Sequence, residues 1–343
     1  MKKIGMSNNT DLKLRDAIKE NIIKSFSDTS LHKIHSNLHQ KPLVVEGANG
    51  SIGSAVAIIL DCLGIQPDPL FVTTYSSNPS KYWKEFKNLN LFKLEDGFNS
   101  FRENMIKIER LNVLYAAGYG QPSKFSSDMT SVVEANINQL MLYKQIKNGA
   151  NFAYMSTSEI YSGIMGSPDE NSSVISSPQQ KRGIYIESKR LGEAITENLL
   201  NNFTRRASYR VALAFPVQYS PNDSRLLADL VKKAKKNKKI HLTNGSSYLR
   251  QYQYSPFAVV KILGSLFLGK NNLYNCGGEY TLTIGELGQK ISYILDVPFS
   301  LEEQDINDGA PTSVMIESDL INKDSEFKGL SLDLEAALKL YMS

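Results

Sequence analysis

The chain's apolar positions change rhythm along its length. "DLKLRDAIKENIIKSF" sets Leu14, Ile18, Ile22 and Phe26 at helical spacing with charges between them. "SLHKIHSNLHQ" puts Leu31, Ile34 and Leu38 on one face of a second, shorter helix. Together they predict a helical N-terminal extension over 1–40. From Lys41 short apolar runs alternate with amphipathic ones. "PLVVEGANG" reads as a strand entering a glycine turn, and "SAVAIILDCLG" as an apolar helix ending at Gly64. "PLFVTTYSS", "NLFKLED", "LNVLYAAG", "NFAYMST" and "ASYRVALAFP" read as further strands. "SVVEANINQLMLYKQIKNG" and "RGIYIESKRLGEAITENLLNN" read as long helices among them. Such alternation predicts right-handed βαβ units on a parallel sheet. After Pro216 the pattern loosens into shorter strands and helices, ending in "LDLEAALKLYM". The expected fold class is α/β: a doubly wound parallel sheet over 41–217, then a smaller C-terminal substrate lobe over 218–343, partly interleaved with it.

Composition narrows the picture only a little. Of 343 residues, 41% are hydrophobic and 22% charged, as in ordinary globular domains. A net charge of +4 is too small to imply nucleic acid. The one dense basic stretch, "VKKAKKNKKIH" from Val231, is either a solvated helix face or an attractor for a phosphorylated ligand. Cys62 and Cys276 stand far apart in apolar sequence, which suggests a reducing, cytoplasmic compartment and no disulfide framework. His32, His35 and His39 share a helix face, but no Cys or further His is near, so an exposed polar stripe is expected rather than a metal site. The basic start "MKKIGMSNNTDLKLRD" has no apolar run after it and does not read as a signal peptide. No window approaches the roughly 18 apolar residues of a membrane span, so no membrane partner is expected.

"VVEGANGSIGSAVA" carries the first chemistry. Gly47, Gly50 and Gly53 follow a strand and open a helix in the spacing GxxGxxG. Gly47 can turn sharply, Gly50 lets backbone approach a pyrophosphate, and Gly53 allows close helix-on-strand packing. This is a Rossmann-type dinucleotide turn, with Asn49, Ser51 and Ile52 lining it. An acidic residue ending the second strand would hold the adenosine ribose of NAD. Here Thr73-Thr74-Tyr75-Ser76-Ser77 stands there, with Lys81 beyond. NAD and NADP both stay open.

"GIYIESKRLGE" carries the second. Tyr185 and Lys189 lie four apart, on one face of a predicted helix. An ammonium near a phenol favours phenolate and should lower its pKa from about 10. Tyr185 could then exchange a proton with a carbinol beside a nicotinamide. A hydroxyl from the strand end "MSTSEIY" would bind the same oxygen, and Thr157 is placed for that task.

From Lys41 onward the sequence resembles the extended short-chain dehydrogenases/reductases, the nucleotide-sugar epimerases, dehydratases and decarboxylases. "NVLYAAG" resembles the family's fourth-strand motif, with Ala116 and Ala117 beside the cofactor, and "VVEANINQ" its following helix, with Asn136. "SYLRQYQYSPFAVV" resembles the segment whose arginine, here Arg250, binds a nucleotide-sugar diphosphate. "LYNCGGEYTLTIGEL" resembles the loop near the nucleotide, with Asn275 and Gly277. "ANFAYMSTSEIYS" and the set Arg182, Tyr185, Lys189, Arg190 resemble UDP-glucuronate decarboxylases in particular. The resemblance implies that Ser156 borders the cofactor and that Thr157 and Tyr185 bind the sugar C4 oxygen. Lys189 would support Tyr185, and Ser158, Glu159 and Arg182 would border the sugar. Glu159 would act near C5 or C6. Ser158 stands where dehydratases carry aspartate, which counts against dehydration.

Three functions follow as expectations. The first is an enzyme that transiently oxidises C4 of a nucleotide sugar, of decarboxylase or epimerase type. The second is an NADPH-dependent reductase of a 4-keto nucleotide sugar. The third is a non-catalytic dinucleotide-binding regulator, docking through the N-terminal helices. A homodimer is expected, because the helices starting near Val132 and Tyr185 resemble those that pair in this family.

Overall fold

The computed structural model describes residues 9–118, 129–180, 182–243, 245–302 and 313–343. The basic first residues, read above as carrying no leader, begin outside that set. In chain order the strands are β1 (Leu43–Glu46), β2 (Leu70–Thr74), β3 (Leu89–Lys93), β4 (Leu111–Tyr115), β5 (Gly149–Thr157), β6 (Phe203–Val211), β7 (Leu213–Phe215), β8 (Ile240–Leu242), β9 (Leu249–Tyr254), β10 (Leu273–Cys276), β11 (Tyr280–Thr283), β12 (Phe299–Leu301) and β13 (Ser313–Val314). The helices are α1 (Asn9–Ser25), α2 (Asp28–Leu38), α3 (Ser51–Cys62), α4 (Leu94–Met105), α5 (Met129–Val133), α6 (Gly183–Leu199), α7 (Leu226–Asn237), α8 (Ser255–Leu268), α9 (Ile284–Leu295), α10 (Asp319–Asp324) and α11 (Leu334–Met342).

A seven-stranded sheet runs β10-β6-β5-β4-β1-β2-β3, and all its strands are parallel. The first three strands step outward from β1 and the later ones step the other way, so the order reverses beside β1. That is the Rossmann-type doubly wound arrangement, and its ligand crevice lies at the carboxyl ends of the strands near the reversal. β1, β2 and β4 are buried along their whole length, which explains their unbroken apolar runs: helices cover both faces.

One covering layer explains the N-terminal extension. α3 and α8 are apolar nearly all round and buried along most of their length. A helix of that kind needs a cover on its outer side as well as a sheet beneath. α1 and α2 supply it. Leu14, Ile18, Ile22 and Phe26 are at most 2% exposed and join the same core as α3 and α8. The extension also grips the far end of the chain: Phe26 bridges Phe327, and Ser25 meets Ser331 through paired hydroxyls. One stripe of each helix is therefore part of the core, while the opposite face is exposed.

Two predicted elements differ in form. The long helix expected from Ser131 is α5, then a π-helical turn over Glu134–Asn138, then a 3₁₀ turn over Leu140–Gln145. The wide turn holds Asn136 fully buried. The strand expected across "ASYRVALAFP" breaks at Ala212. β6 stays in the central sheet, while β7 pairs with β9 in a second sheet of β11, β9 and β13. Among the described residues no helix is long and apolar enough to cross a membrane. No cluster there has the makings of a metal site; His39 Nδ1 instead accepts from Gln66 N–H at 3.1 Å.

Candidate active site

The glycine turn is closed backbone against backbone. Gly47 has φ +77°, and a Cβ there would meet Ala116 O at 2.5 Å. At Gly53 a Cβ would meet Gly47 O at 2.2 Å. Gly50 caps α3, so the helix's first N–H groups face the crevice. Asn49 braces the neighbouring loop: its Nδ2 donates to Ser77 Oγ at 2.7 Å, and its Oδ1 accepts from Ser80 N–H at 2.8 Å. Thr74 Oγ1 donates to Ser77 O at 2.6 Å. Lys81 pairs with Asp11 of α1 at 2.5 Å. The extension thus supplies a partner for Lys81, the lysine that follows this loop.

Across the crevice, Gly118 follows Ala116 and Ala117. A Cβ on Gly118 would meet Asn136 Oδ1 at 2.4 Å and Lys189 Nζ at 2.9 Å. Asn136 Nδ2 donates to Ser188 Oγ at 2.8 Å, while its Oδ1 is buried with no hydrogen-bond partner among the described residues. Close-packed glycine backbone, an open helix start and an unspent buried acceptor fit a nicotinamide dinucleotide.

The predicted catalytic side chains converge at the end of β5. Thr157 is its last residue and lies beside the Tyr185 phenol, near enough to favour the phenol's ionised form. The Thr157 hydroxyl also accepts from Glu159 N–H at 3.2 Å, capping the short turn that presents Glu159. Glu159 pairs with Arg182, Oε1 to Nη1, at 2.6 Å, and its Oε2 is buried without a partner among the described residues. Arg250 approaches from β9. It is 8% exposed, and its one hydrogen bond among the described residues runs to the adjoining Leu249 O. Burial and the nearby Arg182 charge both lower its pKa. Glu159 is paired with Arg182, while Arg250 has no carboxylate within ion-pair distance among the described residues, which leaves the site in want of a further anion.

The Tyr185–Lys189 pair behaves differently from the expectation. Burial, then the Glu159 charge, push the phenol's pKa up; the Thr157 hydroxyl and Arg182 oppose this. Lys189 Nζ donates to Met155 O at 2.9 Å and reaches Ala117 O at 3.5 Å. Burial lowers its own pKa to about 7. The ammonium expected to acidify the phenol is spent on backbone carbonyls, and burial is the largest influence on both groups.

Other predicted residues have other surroundings. Asn275 is fully buried: its Oδ1 lies 2.9 Å from the Tyr161 hydroxyl, and its Nδ2 donates to Pro168 O at 3.0 Å. These bonds hold the side chain inside the protein and use one of its amide hydrogens and one lone pair of its oxygen. Ser156 and Ser158 are buried, and Ser156 Oγ donates to Glu193.

Sequence reasoning missed two groups. Arg225 reaches from the start of α7 and donates from Nη1 to Ser51 Oγ, at the first residue of α3. Nothing in "NDSRLL" marks it, because the contact is made only by the fold. Glu46 ends β1 and is wholly buried; its Oε1 accepts from the Tyr143 hydroxyl at 2.5 Å, and burial raises its pKa to about 7. A carboxylate in an otherwise apolar strand was the available signal.

Comparison with known proteins agrees with this geometry. A model of the NAD dependent epimerase/dehydratase family matches residues 43–271. No curated protein matches the chain. Among solved structures, a mutant of UDP-glucuronic acid 4-epimerase from Bacillus cereus is 16% identical, with a TM-score of 0.71, over 87% of this chain and 97% of that one. An epimerase from Methanothermobacter thermautotrophicus is 14% identical, with a TM-score of 0.73, over 91% and 94%. A double mutant of dTDP-glucose 4,6-dehydratase from Streptomyces venezuelae is 15% identical, with a TM-score of 0.71, over 87% and 96%. At such identities the likeness is one of fold. The family model spans well over half the chain, and with the glycine turn and the Thr157–Tyr185–Lys189 site it makes this protein a member of the NAD dependent epimerase/dehydratase family, with a nicotinamide dinucleotide as its cofactor.

Proposed function

We propose that this enzyme acts on a nucleotide sugar by transient oxidation at C4, in the manner of an epimerase or a decarboxylase. The observation that carries the proposal is the convergence at the end of β5 of Thr157, the buried Tyr185 phenol and the Glu159–Arg182 ion pair. The glycine turn, Ala116, Ala117 and Asn136 would hold the dinucleotide, whose nicotinamide supplies a hydride acceptor. Thr157 binds the C4 oxygen and aligns it on Tyr185. A raised pKa makes the neutral phenol the resting form, so Tyr185 would first release its own proton to solvent as cofactor and substrate fill the site. As phenolate it takes the C4 hydroxyl proton during oxidation and returns it when the hydride comes back. Glu159, held by Arg182, stands where a proton can move near C5 or C6. Arg182 and Arg250 accept the substrate's negative charge, whether diphosphate or sugar carboxylate.

The second reading, an NADPH-dependent reductase, draws on the missing carboxylate at the end of β2. The Lys81–Asp11 pair speaks against it. Incubation of the purified protein with a panel of nucleotide sugars tests both, reading product mass and nicotinamide absorbance. Conversion with no net change in nicotinamide supports the oxidation cycle. Stoichiometric consumption of NADPH replaces it with the reductase. If no nucleotide sugar changes and no NADPH is consumed, the proposal fails.

A further inference from the structure

We propose that Glu193 is a positioning residue that holds the strand end bearing Thr157 and the helix bearing Lys189 in one register. The inference deepens the activity proposed above and rests on it for the role of those two residues. Glu193 lies one helical turn beyond Lys189 on α6. Its Oε1 accepts from Ser156 Oγ at 2.5 Å and from Arg210 Nε at 3.1 Å; its Oε2 accepts from Arg210 Nη2 at 2.9 Å. Ser156 is the neighbour of Thr157. Arg210, on β6, is 7% exposed and donates from Nη1 to the Tyr161 hydroxyl at 2.5 Å. Tyr161 closes the turn that presents Glu159. One carboxylate is therefore wired to both ends of the segment 156–161, directly at Ser156 and through Arg210 at Tyr161.

The same carboxylate acts on Lys189. The titratable groups that face the Lys189 ammonium among the described residues are Glu193 from its own helix and Tyr154 from β5, with its ring centre 5.2 Å away; Asn136 of the π turn approaches Gly118 beside it. Of these, Glu193 is the charge that favours the ammonium against burial. A buried ion pair kept only for stability would be a weak choice, since its desolvation cost offsets much of its attraction. Placement between the two catalytic segments gives it a further task.

The test compares the native protein with Glu193→Gln, Glu193→Asp and the double variant Glu193→Gln/Arg210→Met. The double variant removes both charges, so no bare guanidinium is left buried if the single variant folds poorly. The first readout is the titration of Lys189 by NMR on lysine-labelled protein, which needs no substrate. The second is the pH profile of kcat on a nucleotide sugar that the panel shows to react. Loss of the carboxylate is expected to move the Lys189 midpoint down by about one pH unit. It is also expected to lower kcat near neutrality about tenfold, with recovery toward lower pH. Glu193→Asp is expected to restore the midpoint. A Lys189 midpoint that stays put in both charge-removing variants overturns the inference. So does a kcat profile that changes only in height. If no nucleotide sugar reacts, the activity reading fails, while the Lys189 titration still decides the role of Glu193.

Discussion

Glu46 makes a quantitative prediction about stability. Its carboxyl is wholly buried at the end of β1, under the glycine turn. The Tyr143 hydroxyl donates to one oxygen; the other has no hydrogen-bond partner among the described residues. Burial therefore outweighs the Tyr143 hydrogen bond and the nearby Thr73 hydroxyl, and the pKa rises from 4.5 to about 7. Between those values the folded protein keeps a proton that the unfolded chain has released. Stability from this group is thus intact below pH 4.5 and falls as pH rises toward 7. At about 1.36 kcal/mol per pH unit, the loss comes to about 3 kcal/mol. Glu46→Gln keeps the shape, still accepts from Tyr143 and cannot ionise. Urea unfolding of both proteins from pH 4.5 to 8 is the assay, and the difference between their stabilities is the quantity of interest. Every other titrating group is common to both and cancels. The variant is expected to gain about 3 kcal/mol on the native protein across the window, with the change centred between the two pKa values. A difference that stays flat with pH would show that Glu46 is not a buried acid retaining its proton, and the argument from desolvation would be wrong.

Other outcomes follow from the same geometry. Tyr185→Phe removes the proton-exchanging oxygen, and kcat on a reacting nucleotide sugar is expected to fall ~10³-fold with the fold unchanged by circular dichroism. Arg225→Ala removes the cation that touches Ser51 at the start of α3; calorimetry is expected to show dinucleotide binding weakened about tenfold or more. Ile22→Ala opens a void between α1 and the helices it covers, and denaturant unfolding is expected to show a loss of about 2–5 kcal/mol. An unchanged stability there would mean that α1 is not part of the core.

Periodicity made most of this fold legible. β1, β2 and β4 read as strands because two-sided burial leaves unbroken apolar runs, and α6 read as a helix because one face is polar. The glycine turn and the Thr157–Tyr185–Lys189 set were visible because their chemistry depends on fixed local spacing. What stayed hidden depends on contacts between distant segments. The π turn at Asn136 has no periodic signature, and the break at Ala212 is decided by which sheet each half joins. Arg225 meets Ser51 only after the C-terminal lobe folds back. The pKa order of Tyr185 and Lys189 escaped a local argument because it is set by burial, which two residues of sequence do not encode. Asn275 carried a family motif, but its side chain is held inside the protein by distant Tyr161 and Pro168.

The break at Ala212 has a mechanical meaning. One residue separates a strand of the central sheet from a strand of the second, and its N–H is already tied to Cys276 O at 3.0 Å. Any rocking of the arginine-bearing layer over the dinucleotide layer must be taken up at that single alanine or at the loops after β7. The two layers are stitched at a seam with almost no slack.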